Sequence, residues 1–221
     1  MSDKPKNIGK SVADRLRNIS KQRKLLFDDL LSQYANERLL YRLSQTSYIN
    51  QFVLKGGTLF LIWLEGNTHR ATQDIDFLAI EPLQLADAES IFRHLCIIDV
   101  DMSDGILFLP ETLKVKELKS AIRIELTSKI DTTSQKLSID IGYGDVITPE
   151  IQIIAYPVLL PNMPAPKLQA YPQYTVIAEK FEAMIDLEMR NTRYKDFYDV
   201  WFICTHYSFD GAILKTAIER T

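Results

Sequence analysis

The sequence predicts an α+β fold, in which a mixed sheet with flanking helices is followed by a helical C-terminal lobe. Three observations predict it: leucines at helical spacing near the N-terminus, two central stretches that alternate apolar and polar residues, and helical periodicity near the C-terminus. We therefore expect N-terminal helices over 1–50 that pack on the core, a core over 51–162, and a helical lobe over 163–221.

The composition is that of a folded globular protein. The 221 residues are 46% hydrophobic and 25% charged with a net charge of −3, so nothing in the bulk composition indicates nucleic-acid binding or disorder. The basic segment 1–24 is more typical of a solvated helix face than of a binding surface. Cys96 and Cys204 lie in apolar stretches and are expected to be reduced and buried. Because no apolar run is long enough to span a membrane and no signal peptide is present, we expect a cytoplasmic protein without a membrane partner.

The elements of the first half follow from periodicity and from glycine positions. Residues 9–44 carry apolar side chains at spacings of three and four, and a break near 21–24 splits them into two predicted helices. The further elements expected are a strand at 52–54, a turn at Gly56-Gly57-Thr58, a helix in TLFLIWLEG that ends at Gly66, a strand in DIDFLAI, and a helix over 84–98.

The second half begins with strands and ends with helices. AIRIELTSKI and KLSIDIGYGDVI alternate with period two on either side of the turn-forming run DTTSQ, which predicts an antiparallel hairpin. The apolar segment IQIIAYPVLL follows, and then four of the nine prolines mark a connection between lobes. TVIAEKFEAMIDLEM and KDFYDVWFICTHY are predicted to be helices.

Two aspartates in the strand DIDFLAI are the first candidates for chemistry. Asp74 and Asp76 are separated by one residue, so both side chains leave the same face of the strand. Two carboxylates in apolar surroundings are costly unless they are protonated or bridged by a cation. They could simply be solvated at a strand end, or they could bind Mg²⁺, which prefers carboxylate and phosphate oxygens.

The glycine turn favours the second interpretation. Gly56, Gly57 and Thr58 follow a strand and open a helix, where free backbone N–H groups can hold the oxygens of a phosphate. Taken alone, the motif is most often just a tight strand–helix turn. Followed by a helix and then the two aspartates, however, it predicts a phosphate cradle beside a metal site.

A third carboxylate is expected from the predicted hairpin. Asp140 lies on the polar face of KLSIDIGYGD, and an adjacent strand could place it against the other two aspartates. Two Mg²⁺ ions about 3.5–4 Å apart could then clamp a triphosphate and an attacking hydroxyl that Asp140 helps to deprotonate. Asp145 competes for this role but follows two glycines, as a turn residue does.

Other charged residues are candidates for contacts with the substrate. Arg70 and Thr72 precede the aspartate pair, where an arginine could grip a phosphate or simply lie in a surface loop. Lys180 could neutralise the triphosphate. The second C-terminal helix adds Lys195, and Asp196 and Asp199 share one of its faces, although a solvated helical face explains these charges equally well.

Four segments together resemble a known family. They are RLLYRLSQTSYINQFVLKGGTLFLIW, HRATQDIDFL, KLSIDIGYGD and AEKFEAMIDLEMRNTRYKDFYDVWFI. From about residue 11 to residue 207 the chain is similar to the AbiEii/AbiGii-type nucleotidyltransferase toxins of type IV toxin–antitoxin systems. The resemblance implies a polymerase-beta-like nucleotidyltransferase core and Mg²⁺-dependent transfer of a nucleoside monophosphate from an NTP, with release of pyrophosphate. It also implies an RNA acceptor, expected to be the tRNA 3′ end, a cognate antitoxin encoded nearby, and a role in phage defence.

The family motifs can be placed residue by residue. Gly56, Gly57 and Thr58 match the glycine signature, and Asp74 and Asp76 match the metal ligands. The lysine and aspartate motifs behind the core are matched by Lys180, Asp196 and Asp199, whereas Asp140 rests only on its strand position. Three departures are a threonine where the wider superfamily has serine, a longer gap before the aspartate pair, and fewer C-terminal helices, as in a truncated or compact member.

Other functions of the same fold stay open at this point. The acceptor could be a small molecule, as in aminoglycoside-modifying enzymes, or a protein side chain. The chain could also be an inactive binding module, although its intact carboxylate set argues against that. No motif selects the base of the NTP.

Overall fold

The computed structural model describes residues 7–64, 73–100, 103–187 and 194–221. Its centre is a seven-stranded mixed sheet with strand order β3-β4-β5-β2-β1-β7-β6, and helices cover it. The helices are α1 Ile8–Arg23, α2 Phe27–Ser44, α3 Leu59–Trp63, α4 Leu85–Ile97, α5 Gln173–Leu187, α6 Tyr194–His206 and α7 Gly211–Arg220. The strands are β1 Phe52–Lys55, β2 Ile75–Ala79, β3 Ile106–Glu117, β4 Ala121–Ile130, β5 Thr133–Tyr143, β6 Gln152–Ala155 and β7 Lys167–Ala170. The predicted α+β class is confirmed.

The two N-terminal helices separate where the sequence predicts. Lys24 adopts a left-handed conformation with φ of 55°, and its N–H bonds the carbonyl of Ser20, which ends α1. The next helix, α2, buries almost every side, including the polar residues Glu37 and Arg38. A helix buried all round belongs in the centre of a fold, and α2 packs against β5, β7 and α4.

The sheet joins strands that are distant in the chain. β4 and β5 form the predicted antiparallel hairpin, whose tight turn contains Asp131 at φ of 53°. β5 also runs parallel to β2, and β2 runs antiparallel to β1, so the hairpin lies beside the strand that carries the aspartate pair. Asp140 on β5, the aspartate pair at β2 and the glycine turn after β1 are therefore brought together.

Four of the described strands and helices, β3, β6, β7 and α7, were missing from the prediction. The alternation of β3 is interrupted by an irregularity between Leu109 and Lys114, which hides its period. The short strand β7 lies within the segment 163–221 that was expected to be helical, and it pairs in parallel with β1. α7 closes the chain behind Asp210, whose side chain accepts from the first turn of the helix. The expected division into three segments stays a prediction.

Burial divides the two faces of the sheet. On β5, Leu137, Ile139 and Ile141 are buried while the residues between them are only partly covered. One face therefore packs into the core, and the other presents polar side chains. The expectation of buried thiols was wrong for Cys204, which is exposed because it lies on the outer side of α6, whereas Cys96 is half-buried. In the part of the chain that is described, no helix has the length and apolarity needed to cross a membrane.

Candidate active site

A row of charged residues crosses five strands of the sheet at one register position. Asp76 on β2 stands beside Asp140 on β5 and beside Lys55 on β1. Asp140 in turn stands beside Arg123 on β4, which stands beside Lys116 on β3. We call these five residues the charged row. Two carboxylates occupy its middle, and basic residues flank them on both sides.

Strand alternation explains why Asp76 lies on this face. Its neighbours Ile75 and Phe77 are buried in the core, so Asp76 projects from the polar face and is half-buried. Burial raises the pKa of Asp76 above its ordinary value, and the negative charges of Asp140 and Asp74 raise it further. Lys55 and Lys195 act in the opposite direction. The carboxylate therefore lies in a field that favours an added positive charge.

Asp140 has an arginine as its direct partner. Arg123 donates from Nε to Oδ1 at 2.7 Å and from Nη2 to Oδ2 at 2.6 Å, which is a bidentate pair. The hydrogen bonds and charge of Asp140 raise the pKa of Arg123, and Asp74 contributes in the same direction. The guanidinium group therefore contacts one predicted metal ligand, Asp140, and is attracted by the charge of a second, Asp74.

The glycine turn contacts the aspartate strand directly. Gly56 has φ of +73°, a conformation that favours glycine, and a Cβ there would overlap the carboxylate of Asp76. The buried Thr58 hydroxyl donates to the carbonyl oxygen of Asp74 at 3.0 Å. The turn and the aspartate strand therefore form one compact unit, and in this structure Thr58 helps to hold that unit together.

Lys55 connects the charged row to α5. Its Nζ forms ion pairs with Asp145 and with Glu179, the latter at 3.0 Å, and Tyr171 donates to Asp145 at 2.9 Å. Burial would lower the pKa of Lys55, but the two acids raise it above its ordinary value. Burial raises the pKa of Glu179 to about 7, whereas Lys55 keeps that of Asp145 low in spite of burial. Asp145, predicted as a turn residue, lies in the coil after β5 and fixes this lysine.

The C-terminal candidates form a separate cluster, the helix triad of Lys180, Asp196 and Asp199. Lys180 Nζ on α5 lies 2.7 Å from Asp196 Oδ1 and 2.9 Å from Asp199 Oδ2, both on α6. The lysine is 12% exposed and the two aspartates at most 1%. The triad thus ties α5 to α6 instead of reaching into the charged row, whereas the exposed Lys195 acts on Asp76.

A groove of about 360 Å³ opens beside Asp74. Its walls come from β3, β4 and β5 and include Lys114, Glu125, Lys136 and Ser138. A larger cavity of about 650 Å³ lies between α1, α4 and the start of β3 and contains none of the predicted site residues. The carboxylates, the glycine turn and the basic residues thus converge beside the smaller groove and not at the larger cavity.

Comparison with known proteins identifies the family. A family model described as "Nucleotidyl transferase AbiEii toxin, Type IV TA system" matches residues 38–221. The chain belongs to the AbiEii family. It is therefore a nucleotidyltransferase of a toxin–antitoxin system, and the family implies an antitoxin partner. The resemblance predicted from the sequence is confirmed.

Two crystal structures from Helicobacter pylori share the fold of this AbiEii-family chain. JHP933 has 20% sequence identity and a TM-score of 0.53, and the match covers 79% of this chain and 67% of JHP933. A proposed nucleotidyltransferase has 20% identity and a TM-score of 0.56, covering 83% of this chain and 71% of its own. A search of curated proteins finds no match. The two structures support a nucleotidyltransferase-like fold.

The AbiEii-family structure brings some of the predicted residues together and separates others. Asp74, Asp76 and Asp140 lie with the glycine turn, as predicted from strand alternation, whereas Lys180 lies in the helix triad. Arg70, Thr72 and Gly66 fall outside the described residues. The roles assigned to all these residues stay predictions.

Sequence reasoning missed four charged side chains of this site, namely Lys55, Lys116, Arg123 and Glu179. Arg123 and Lys55 depend on strand register, which one sequence does not reveal. The alternation in AIRIELTSKI does put Arg123 on the polar face, and that signal could have identified it. Glu179 directly precedes Lys180, yet the two side chains serve different clusters.

The donor chemistry at the charged row fits a divalent cation. Carboxylate oxygens are what Mg²⁺ prefers, and the repulsion that Asp74 and Asp140 exert on Asp76 is what a cation would relieve. Within residues 7–64, 73–100, 103–187 and 194–221, however, no three acidic, histidine or cysteine side chains are close enough to ligate one ion. Among the described residues, Asp140 is the one of the three aspartates that a guanidinium group holds by both oxygens.

Proposed function

We propose that this AbiEii-family enzyme transfers a nucleoside monophosphate from an Mg²⁺-bound NTP to an acceptor hydroxyl and releases pyrophosphate. The observation that carries the proposal is the central pair of the charged row, Asp76 beside Asp140, in contact with the glycine turn at Gly56. Carboxylates for a metal, a close backbone approach for phosphates and flanking basic side chains are what this reaction needs.

Asp74, Asp76 and Asp140 would share the bound metal, with no single ion ligated by all three in the arrangement of the described residues. One or two Mg²⁺ ions bound there would neutralise the phosphates and acidify the attacking hydroxyl. The hydroxyl oxygen forms a bond to the α-phosphorus, and the bond from that phosphorus to the bridging oxygen of pyrophosphate breaks. Asp140 would accept the hydroxyl proton. The backbone of the glycine turn would hold the triphosphate beside these residues.

We propose RNA, and the tRNA 3′ end in particular, as the acceptor. The groove beside Asp74 supports this, because its walls carry Lys114 and Lys136, neither of which forms a salt bridge within the described part of the chain. Lysines along a groove are suited to phosphates of a nucleic-acid backbone. Addition to tRNA would block translation, and the protein would then act in the cytoplasm.

The test is a transfer assay with each labelled NTP, Mg²⁺, total tRNA, a protein fraction and an aminoglycoside panel in parallel. We expect label on tRNA with one preferred NTP. Asp76→Asn should lower the rate by about a thousandfold or more, because it removes charge that binds the metal at the reacting phosphate. The exposed Asp87→Asn on α4 is the matched control and should keep full activity.

Each arm of the assay separates one alternative. Label on a protein or on a drug would replace RNA as the acceptor while keeping the reaction. Wild type that labels no acceptor and equals Asp76→Asn would contradict the proposed function. Metal-dependent label on tRNA that EDTA abolishes would support it.

A further inference from the structure

Arg123 bonds the carboxylate oxygens through which Asp140 would bind a metal. Its two hydrogen bonds, at 2.7 and 2.6 Å, engage both carboxylate oxygens of Asp140. A divalent ion on Asp140 needs at least one of these oxygens and would lie close to the guanidinium charge. Since like charges at such short range repel, full bidentate pairing and metal ligation of Asp140 oppose each other.

The surroundings of Arg123 allow its side chain to adopt a second position, away from Asp140. Its side chain is 39% exposed, so it can swing away from Asp140 without leaving a buried cavity. On the β3 side, the next residue of the charged row is Lys116, whose ammonium group pairs with Glu125 at 2.7 Å. Because Glu125, whose charge attracts Arg123, is already paired with Lys116, an arginine released from Asp140 is drawn to any anion held over the aspartates.

We propose that Arg123 and the divalent ion compete for Asp140, and that the displaced Arg123 then grips the phosphates of the bound nucleotide. This inference rests on the proposed function, since it concerns the same metal and nucleotide. It makes Arg123 a substrate-binding residue that balances the charge of Asp140 when the ion is not bound to it. A guanidinium group suits both partners, because its parallel N–H donors match carboxylate and phosphate alike.

The competition has a signature that does not depend on activity. Mn²⁺ binding can be measured by electron paramagnetic resonance on wild type and on Arg123→Gln, without nucleotide. Removing the competitor should raise Mn²⁺ affinity about three- to tenfold. The matched control is Arg93→Gln, because Arg93 also bonds one carboxylate, that of Glu89, through Nε and Nη2 on the exposed face of α4. This control should leave Mn²⁺ affinity unchanged.

The second measurement concerns the nucleotide. Binding of a non-hydrolysable NTP analogue with saturating Mn²⁺ should weaken about tenfold in Arg123→Gln, which corresponds to about 1.4 kcal/mol. Arg123→Lys keeps the charge but loses the bidentate geometry, so both affinities should lie between those of wild type and Arg123→Gln. If Arg123→Gln folds poorly by circular dichroism, Arg123→Lys carries the comparison.

The results separate this inference from the proposed function. Unchanged or weaker Mn²⁺ binding by Arg123→Gln would overturn the competition, and unchanged or tighter nucleotide binding would overturn the phosphate contact. Wild type that transfers nucleotide while the variant shows either result leaves the proposed function standing. Wild type that binds no Mn²⁺ and transfers nothing contradicts the proposed function itself.

Discussion

Two clusters in this molecule place basic side chains among aspartates, yet their surroundings differ. In the charged row, Arg123 and Asp140 are 39% and 24% exposed, at the centre of an open sheet face. In the helix triad, Lys180 and its two aspartates are at most 12% exposed and lie between α5 and α6. A solvated ion pair can exchange partners at low cost, whereas a buried ion pair is fixed.

The difference in exposure gives the charged residues of the two clusters different roles, although they look alike in the sequence. An ion pair at the surface contributes little to stability, so its groups are free to serve metal and phosphate. A buried pair costs much when one partner is lost, because the other charge remains without water. We therefore expect substitutions in the charged row to change function and substitutions in the helix triad to change stability first.

Lys180→Met should have the largest effect on stability. It leaves Asp196 and Asp199 without their lysine, and losing one partner of a buried ion pair costs about 3–5 kcal/mol. Urea unfolding followed by circular dichroism measures this loss. Lys215→Met is the control, because its pair with Glu219 on α7 is exposed and should contribute less than about 1 kcal/mol. A Lys180→Met protein as stable as wild type but inactive would instead make Lys180 a purely functional residue.

Gly56→Ala should displace Asp76, the residue of the charged row that lies against the glycine turn. A Cβ at this position overlaps Asp76 and adds the strain of a positive φ, which costs on the order of 1–3 kcal/mol. Because Asp76 must move, nucleotide transfer should fall about a hundredfold, as small misplacements at a reacting centre do.

Gly144→Ala separates strain from displacement in this experiment. Gly144 has φ of +93°, and a Cβ there meets nothing within 4 Å, so the change adds strain without moving Asp76. Thermal unfolding should then report a loss for both variants, the larger one for Gly56→Ala because its Cβ also meets Asp76, while the transfer assay reports a large loss only for Gly56→Ala. Equal activity of the two variants would show that the glycine turn does not position Asp76.

Much of the fold and half of the site could be predicted because their signals are local. Period-two alternation puts Asp140 and Asp76 on polar faces, and the glycine turn marks the start of a helix. Which strands pair is a long-range property, so the sequence alone could not place Arg123 beside Asp140 or Lys55 beside Asp76. Burial is equally non-local, and for that reason Lys180 was predicted to meet the triphosphate although it lies between two buried aspartates.

A third ionic cluster, around Glu37, tests whether burial by itself makes an ion pair important for stability, as we expect for the helix triad. Glu37 on α2 is fully buried, with Arg38 at 2.7 Å and the N–H of Leu159 at 2.7 Å from its carboxylate. Burial raises the pKa of Glu37 to about 7, although Arg38 favours the charged form. Its described partners, Arg38 and Leu159, do not belong to the charged row.

The pH dependence of stability should follow from that shift. Because the folded pKa of Glu37 lies above its ordinary value, the stability it contributes is fully present below about pH 4.5 and is lost as pH rises through about 7. Glu37→Gln cannot ionise, so the stability difference between variant and wild type should move in the variant's favour by about 2 kcal/mol from pH 5 to pH 8. Urea titrations at both pH values measure it, with the exposed Glu81→Gln as control. A difference that stays constant with pH would mean that Arg38 keeps Glu37 ionised throughout.

Lys136→Glu should have the smallest effect and extends the comparison to the groove beside Asp74. Lys136 is exposed, so its replacement should leave stability within about 0.5 kcal/mol of wild type. If the groove holds the acceptor backbone, the reversed charge should raise the KM for tRNA about three- to tenfold and reduce the salt dependence of binding, while the KM for NTP stays unchanged. Lys215→Glu on the distant α7 serves as the matched charge reversal. Equal KM values for tRNA in the two variants would move the acceptor out of this groove while leaving the charged row as the site of nucleotide chemistry.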